Sequence, residues 1–226
     1  GFTQWNQSPA GILRYEKVDN EGNVQSVPQL KNTELSLELR YAPNEQFYQG
    51  KLYRTPLINR SPIFTLRYNV GVKGFLSGQN NYHNITANIA KRFYFSQYGY
   101  ADVTTEGGYI VGKNIPFPLL MIHRANQTYA YQLNSYNLMN FLEFVSDHYA
   151  SVDVQYYFNG FIFNKIPLLK KLKLREVVSL KALVGGLRDE NNPNKQTSVF
   201  RFPVDEQDKS ISYSLGRTPY VEGSVG

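Results

Sequence analysis

The sequence predicts an all-β fold, and within that class a transmembrane antiparallel up-and-down β-barrel, on three observations. Apolar and polar residues alternate with a period of two through most of the chain, as in strands that have one face in an apolar medium. Aromatic residues make up 15% of the 226 residues, with 18 Tyr and 14 Phe, against 19% charged residues, a balance that favours strands. No segment carries a long helical period, and none approaches the roughly eighteen consecutive apolar residues of a membrane helix. The mean hydropathy of −0.42 therefore excludes helical spans only. A barrel strand of about ten alternating residues averages to a hydropathy near zero.

Taken in chain order, "GILRYEKV" reads as a short strand. "TELSLELRYAP" places Leu35, Leu37, Leu39 and Tyr41 on one face and Glu34, Ser36, Glu38 and Arg40 on the other. In "SPIFTLRYNVG", Phe64, Leu66, Tyr68 and Val70 oppose Thr65, Arg67 and Asn69. In "HNITANIAKRFYF", Ile85, Ala87, Ile89 and Phe93 oppose Asn84, Thr86, Asn88 and Arg92. "YGYADVTTEGGYIV" sets Ala101, Val103 and Tyr109 against Asp102, Thr104 and Glu106. "DHYASVDVQYYFN" sets Ala150, Val152, Val154, Tyr156 and Phe158 against Ser151, Asp153, Gln155 and Tyr157. In "LREVVSLKALVGGL", Val178, Leu180, Ala182 and Val184 oppose Ser179 and Lys181, and "PYVEGSVG" reads as a further short strand.

A soluble sandwich also alternates. Three features favour the membrane barrel over it. The longer strands reach about ten to thirteen residues, enough to cross a bilayer at a tilt. Their apolar faces carry aromatics near the ends, at Tyr41, Phe93, Phe95, Tyr156 and Phe158, where barrels place aromatic girdles. Charge recurs mid-strand on the other face, at Glu38, Arg67, Glu106, Asp153 and Lys181, as in a wet lumen. The expected lumen-facing set is therefore Glu34, Glu38, Arg40, Arg67, Glu106, Asp153 and Lys181.

Connections in such a barrel alternate between its two ends. "SQ" at Ser96 and Gln97 reads as a tight periplasmic turn, and parity then puts the two longest connections, residues 112–146 and 188–218, together on the outer side. The connection 43–60 is long for the periplasmic side. The first long loop, "GKNIPFPLLMIHRANQTYAYQLNSYNLMNF", is poor in charge and rich in Tyr, Asn and apolar residues, which suits a lid-like segment folded into a partly dry space. The chain begins without an initiator Met and ends within a strand pattern. All of residues 1–226 are accordingly expected to be one piece of a C-terminal barrel domain, its targeting segment lying outside.

Little catalytic chemistry is legible. Cysteine is absent, which removes disulfides, thiol catalysis and thiolate metal sites. His83, His123 and His148 have no ligand spacing, so neither a metal nor a cofactor is expected. "SDHYAS" gathers Ser146, Asp147 and His148, but neighbours in an extended strand point to opposite faces, so Asp147 and His148 are not expected to share a proton relay. The glycines of "EGGYIVGK" lack phosphate-loop spacing and are expected to relieve crowding. An enzyme is not expected.

"KIPLLKKLKLR" concentrates Lys165, Lys170, Lys171, Lys173 and Arg175 among leucines. It reads either as a membrane-interface segment, with Lys170, Lys171, Lys173 and Arg175 meeting anionic lipid or a periplasmic partner, or as a basic turn with leucines packed under a barrel rim. The net charge of +6 does not imply nucleic acid, because the aromatics follow strand periodicity and are not interleaved with this cluster.

The stretches "YADVTTEGGYIVGKNIPFPLLMIHRANQTYAY" and "DHYASVDVQYYFNGFIFNKIPLLKKLKLREVVSLKALVGGL" resemble the C-terminal barrel of the Omp85-like bacterial surface-antigen superfamily. They more closely resemble Bacteroidetes outer-membrane proteins that join a carboxypeptidase-regulatory-like domain to such a barrel and whose function is unassigned. The likeness is strongest over residues 98–186. It implies a larger barrel of about sixteen strands, seated in the bacterial outer membrane. It also implies a lid loop in which Ile115, Pro116 and Phe117 match the superfamily's Ile/Leu-Pro-Phe. Thr128, Tyr129, Ala130 and Tyr131 stand where Val-Arg-Gly-Phe/Tyr is found, so the arginine is missing. The partner strand's Phe-x-Asp-x-Gly corresponds to "LKALVGG", which has no Asp. The resemblance implies a role in envelope biogenesis, inserting or translocating protein or lipid. The alternative is a structural or pore-type barrel that anchors other domains or serves in an envelope complex. The partners implied are outer-membrane lipid and other envelope proteins.

Overall fold

The computed structural model describes residues 1–9, 13–18, 21, 23–57, 59–126, 132, 134–205, 207, 209–216 and 218–226. Eight strands form one sheet: β1 (Phe2–Gln7), β2 (Leu30–Tyr41), β3 (Ile63–Gly71), β4 (Tyr82–Tyr94), β5 (Tyr100–Val111), β6 (His148–Tyr157), β7 (Val177–Gly186) and β8 (Tyr220–Val225). Each pairs antiparallel with the next in sequence. The result is an open meander whose edges are β1 and β8; it is not closed into a barrel.

The register keeps the two faces separate across the sheet. Leu37 lies opposite Tyr68, Tyr68 opposite Ile85, Ile85 opposite Tyr109 and Tyr109 opposite His148. One strand step away, Arg67 lies opposite Glu38 and Thr86, and Lys181 opposite Asp153 and Glu222. A slip of one residue in any pair would exchange the two sets.

Their burial reverses that of an ordinary soluble sheet. On the apolar face, called outward here, Leu37 is 56% exposed and Leu180 is 52% exposed. On the polar, inward face, Asn32, Lys181 and Glu222 are buried.

Four connections leave one end of the sheet, residues 8–29, 72–81, 112–147 and 187–219, and three leave the other, residues 42–62, 95–99 and 158–176. We call these the loop end and the turn end. Apolar residues of the long loops gather at the loop end, where Tyr15, Ile115, Phe117, Leu119, Leu120, Val145, Phe200 and Phe202 pack with Leu30, Tyr82 and Ile110 of the strands. At the turn end, β4 and β5 are joined by a 3-10 turn, Ser96–Tyr98, closed by Gly99 at φ 104°. A Cβ on Gly99 would lie 1.9 Å from the Tyr157 carbonyl oxygen. Only glycine fits both the dihedral and the space.

One local expectation is corrected. Among the described residues of "GILRYEKV", 13–18, none joins the main sheet; Glu16–Val18 is extended and pairs with Val24–Ser26 in a separate ribbon. The eighth strand is instead β1, whose sequence FTQWNQ lacks the alternation. Its pairing with β2 rests on main-chain hydrogen bonds, with Trp5 alone half-buried.

Candidate inward-face site

Strand parity and the fold of the long loop place the site. In β5 to β8 the inward positions include Glu106, Tyr149, Asp153, Lys181 and Glu222. The loop from residue 112 to 147 turns back over them. Its entry is fixed in the loop-end core, where Ile115, Pro116 and Phe117 are buried and the Phe117 ring meets Tyr15 edge-on at 6.1 Å. Thr128, Tyr129, Ala130 and Tyr131 lie outside the described residues.

The loop's return is fixed on an ion pair. Lys181 Nζ donates to the Ser135 carbonyl at 2.5 Å and lies 3.8 Å from Glu222 Oε1. Glu222 in turn accepts from the Asn137 N–H at 3.0 Å, the Leu138 N–H at 3.1 Å and the Tyr220 hydroxyl at 3.1 Å. A strand-borne cation and carboxylate thus hold the loop by its main chain. Buried charges are tolerated in that arrangement because each is paired and hydrogen-bonded.

Between loop and sheet lies a cavity of about 250 Å³, lined among others by Glu106, His123, Arg124, Tyr136, Asp153 and Lys181. It shares Thr104, Asn134 and Asp153 with a second space of about 450 Å³ that runs toward the turn end past Arg92, Asp102 and Gln155. Glu106 accepts from the Tyr149 hydroxyl at 2.5 Å and from Asn88 at 3.4 Å. The Tyr149 ring lies over Gly108, where a Cβ would come within 2.4 Å of it and within 2.7 Å of Met121. Asp153 Oδ1 is buried without a hydrogen-bond partner.

Two loop side chains of the cavity are shifted by burial. The His123 imidazole is pushed down to about 4, so it is neutral at pH 7, and the Tyr136 hydroxyl is pushed up to about 12. His123 Nε2 and Ser146 Oγ share a hydrogen bond of 2.9 Å.

Of the lumen-facing set, only Glu106, Asp153 and Lys181 meet at one cavity. Glu34 accepts from the Tyr82 hydroxyl at 2.6 Å, beside Asn32. Glu38 and Arg67 pair at 2.7 Å and are exposed. Arg40 pairs with Glu45 of the turn-end loop at 2.5 Å. Lys170, Lys171, Lys173 and Arg175 are exposed in the turn-end connection and line neither space, and their neighbours Leu168 and Leu172 are exposed as well.

The expectation for Asp147 and His148 is corrected. Asp147 precedes β6 at a bend, outside the alternation, and its Oδ1 lies 2.7 Å from His148 Nδ1. The carboxylate is fully buried and also accepts from Arg188 Nε at 2.9 Å and Asn191 Nδ2 at 2.9 Å. Arg188 reaches on to the Ile110 carbonyl at 2.6 Å. This hub ties the two long loops to the sheet end. Ser146 belongs to the separate His123 pair, so the three neighbours do not form one relay.

Glu222 and Arg188 were not singled out by sequence reasoning. A signal for Glu222 existed: in "PYVEGSVG" it is the carboxylate at inward parity, directly opposite Lys181. Arg188 gave none, because its partner is set by the geometry of two turns.

A profile of the family described as "Family of unknown function (DUF5686) C-terminal domain" matches residues 11–190. No curated protein and no solved structure matches the chain.

Proposed function

The chain belongs to the DUF5686 C-terminal domain family, which carries no assigned activity, and we propose that it is part of the wall of an outer-membrane β-barrel acting in envelope biogenesis. The observation that carries this reading is the exposed apolar face. Along β6 the outward row runs His148, Ala150, Val152, Val154, Tyr156. Eight steps span about 27 Å of strand, shortened by tilt to roughly 20 Å, close to the apolar band of an outer-membrane barrel. Tyr109 lies beside the row at the loop end, level with Tyr68 two strands further on, and Phe95 stacks on Tyr156 at 5.7 Å at the turn end. Lipid accounts for such a face; water does not. The free edges of β1 and β8 are then where further strands complete the barrel.

Within that barrel, the loop on the inward face acts as a lid over a polar passage through which protein or lipid is inserted or translocated. A second reading, a fixed plug in a structural barrel, is favoured by the loop's separate attachment in the loop-end core.

Two experiments test these readings in the full-length protein. Leu66→Arg places a charge mid-face and is expected to cost about 2–4 kcal/mol in a membrane and to cut outer-membrane yield, whereas at a water-exposed site it is close to neutral. Unchanged yield overturns the barrel. Deleting residues 124–140 is expected to alter the outer-membrane proteome if the loop is a lid; an unaltered proteome favours the plug.

A further inference from the structure

From the turn-end segment 158–176 we infer an in-plane anchor that docks on an anionic phospholipid leaflet. The inference rests on the lipid-facing reading of the sheet and adds a leaflet, a lipid charge and a set of residues to it.

The segment is built, not frayed. The Phe158 N–H donates to the Glu176 carbonyl at 3.1 Å, Asn164 N–H to the Gly160 carbonyl at 2.9 Å, and the buried Glu176 carboxylate accepts from the Phe163 N–H. The Phe161 ring packs edge-on to Tyr98 at 4.9 Å. On this base sits one short helix, α1 (Pro167–Leu172), ended by Lys173 in the left-handed region at φ 53°.

What the segment presents is apolar and cationic together. Leu168 and Leu172, one turn apart on α1, are 71% and 61% exposed, and Ile162, Ile166 and Leu174 are exposed beside them. Lys165, Lys170, Lys171, Lys173 and Arg175 are exposed too. Among the described residues none of these five cations has a carboxylate within ion-pairing distance. A soluble partner of acidic character would complement the charge but not a scatter of exposed leucines. The headgroup layer of an anionic membrane complements both, leucines entering the acyl boundary and lysines meeting phosphate.

Position agrees with chemistry. Tyr156, the last outward residue of β6, contacts Phe158 at 4.4 Å, and its hydroxyl donates to the Tyr98 carbonyl at 2.9 Å. Through that hydrogen bond the outward face is tied to Tyr98, whose ring packs on Phe161, over which Lys165 sits at 4.1 Å. The anchor continues the lipid-facing surface at its rim and assigns the turn end to the anionic phospholipid leaflet.

The test uses the full-length protein reconstituted into vesicles of phosphatidylcholine alone or mixed with phosphatidylglycerol. An environment-sensitive fluorophore is placed at Leu172→Cys, with a second sample labelled at Leu37→Cys on the outward face; the 226 residues supply no competing cysteine. Quenching by spin-labelled lipid reads docking. The Leu172 label is expected to be quenched in the phosphatidylglycerol vesicles. Changing Lys170, Lys171 and Lys173 to Gln is expected to lower the docking equilibrium constant roughly fivefold per lysine, on the order of a hundredfold together. Quenching at Leu37 without quenching at Leu172 overturns the anchor and leaves the barrel standing. Equal quenching at Leu172 in both vesicle types, or indifference to the lysines, overturns the anionic preference. Quenching at neither position overturns both.

Discussion

The two faces of the sheet are made by the same strands, yet they handle burial in opposite ways. The outward face carries Leu37, Leu66 and Leu180 and buries little of them, while the inward face carries Asn32, Lys181 and Glu222 and buries them, the last two under a loop. In water the hydrophobic effect drives the reverse. The comparison teaches that composition alone does not decide which face is inside. Alternation supplies two chemically distinct surfaces, and the medium that each one meets decides which is covered.

The sharpest way to break that comparison is at the buried pair. Glu222→Ala removes the acceptor of three donors, the Asn137 and Leu138 N–H groups and the Tyr220 hydroxyl, and leaves Lys181 buried with the Ser135 carbonyl. The expected loss is about 3–5 kcal/mol, because an uncompensated buried charge costs more than the pair was worth. The double variant Lys181→Met with Glu222→Leu is expected to be distinctly milder in denaturant unfolding, though with a loop more open to protease. If the single variant were no worse than the double, Lys181 would already be solvated and the inward face would not be a buried one.

A smaller effect is expected from pH, acting on the loop. His123 titrates near 4 when packed and near 6.5 when unfolded. Between those values the open loop takes up a proton that the packed loop refuses. Stability is therefore complete above pH 6.5 and declines as pH falls toward 4, by at most about 3 kcal/mol. Its surroundings are the Ser146 hydroxyl, the Tyr149 ring at 4.9 Å, and Arg124 and Glu106 of the same cavity. The protection of the amides of residues 120–126, taken relative to their intrinsic exchange rate at each pH, is expected to fall between pH 6.5 and 4 in the native chain, and this step is expected to shrink in His123→Gln. An undiminished step in that variant would show that His123 does not set it.

How far these contrasts were legible in the sequence depends on the range over which each is encoded. The long strands β2 to β7 were legible because alternation is written residue by residue in a stretch such as Thr33 to Tyr41. β1 was not, since its place in the sheet comes from main-chain pairing with β2 and its side chains alternate with nothing. The inward parity of Glu106, Asp153 and Lys181 could be read off the strands, but their convergence on one cavity depends on the sheet's curvature and on the loop above it. The loop-end hub was illegible for a different reason. Asp147 leaves the strand alternation at a bend, and Arg188 meets it only because two connections return to the same sheet end. Parity arguments assume extended backbone and fail at such bends.

The smallest expected effect tests whether the inward face is uniform along its length. Glu38 and Arg67 are a cross-strand pair at 2.7 Å on β2 and β3, with side chains 48% and 54% exposed, on the same face as Lys181 and Glu222 but beyond the loop's cover. If that part of the face is wet, the pair is screened, and replacing both by neutral residues, Glu38→Gln with Arg67→Met, is expected to change stability by less than about 1 kcal/mol. Added salt should narrow even that difference, since the Debye length falls to about 8 Å near physiological ionic strength and shortens further above it. The double replacement measured at low and high salt in denaturant unfolding checks this directly. A cost comparable to that of Glu222→Ala would mean that the open part of the inward face is as dry as the part beneath the loop. In that case the passage running from the cavity past Arg92 and Asp102 would be packed and could not serve as the proposed polar route.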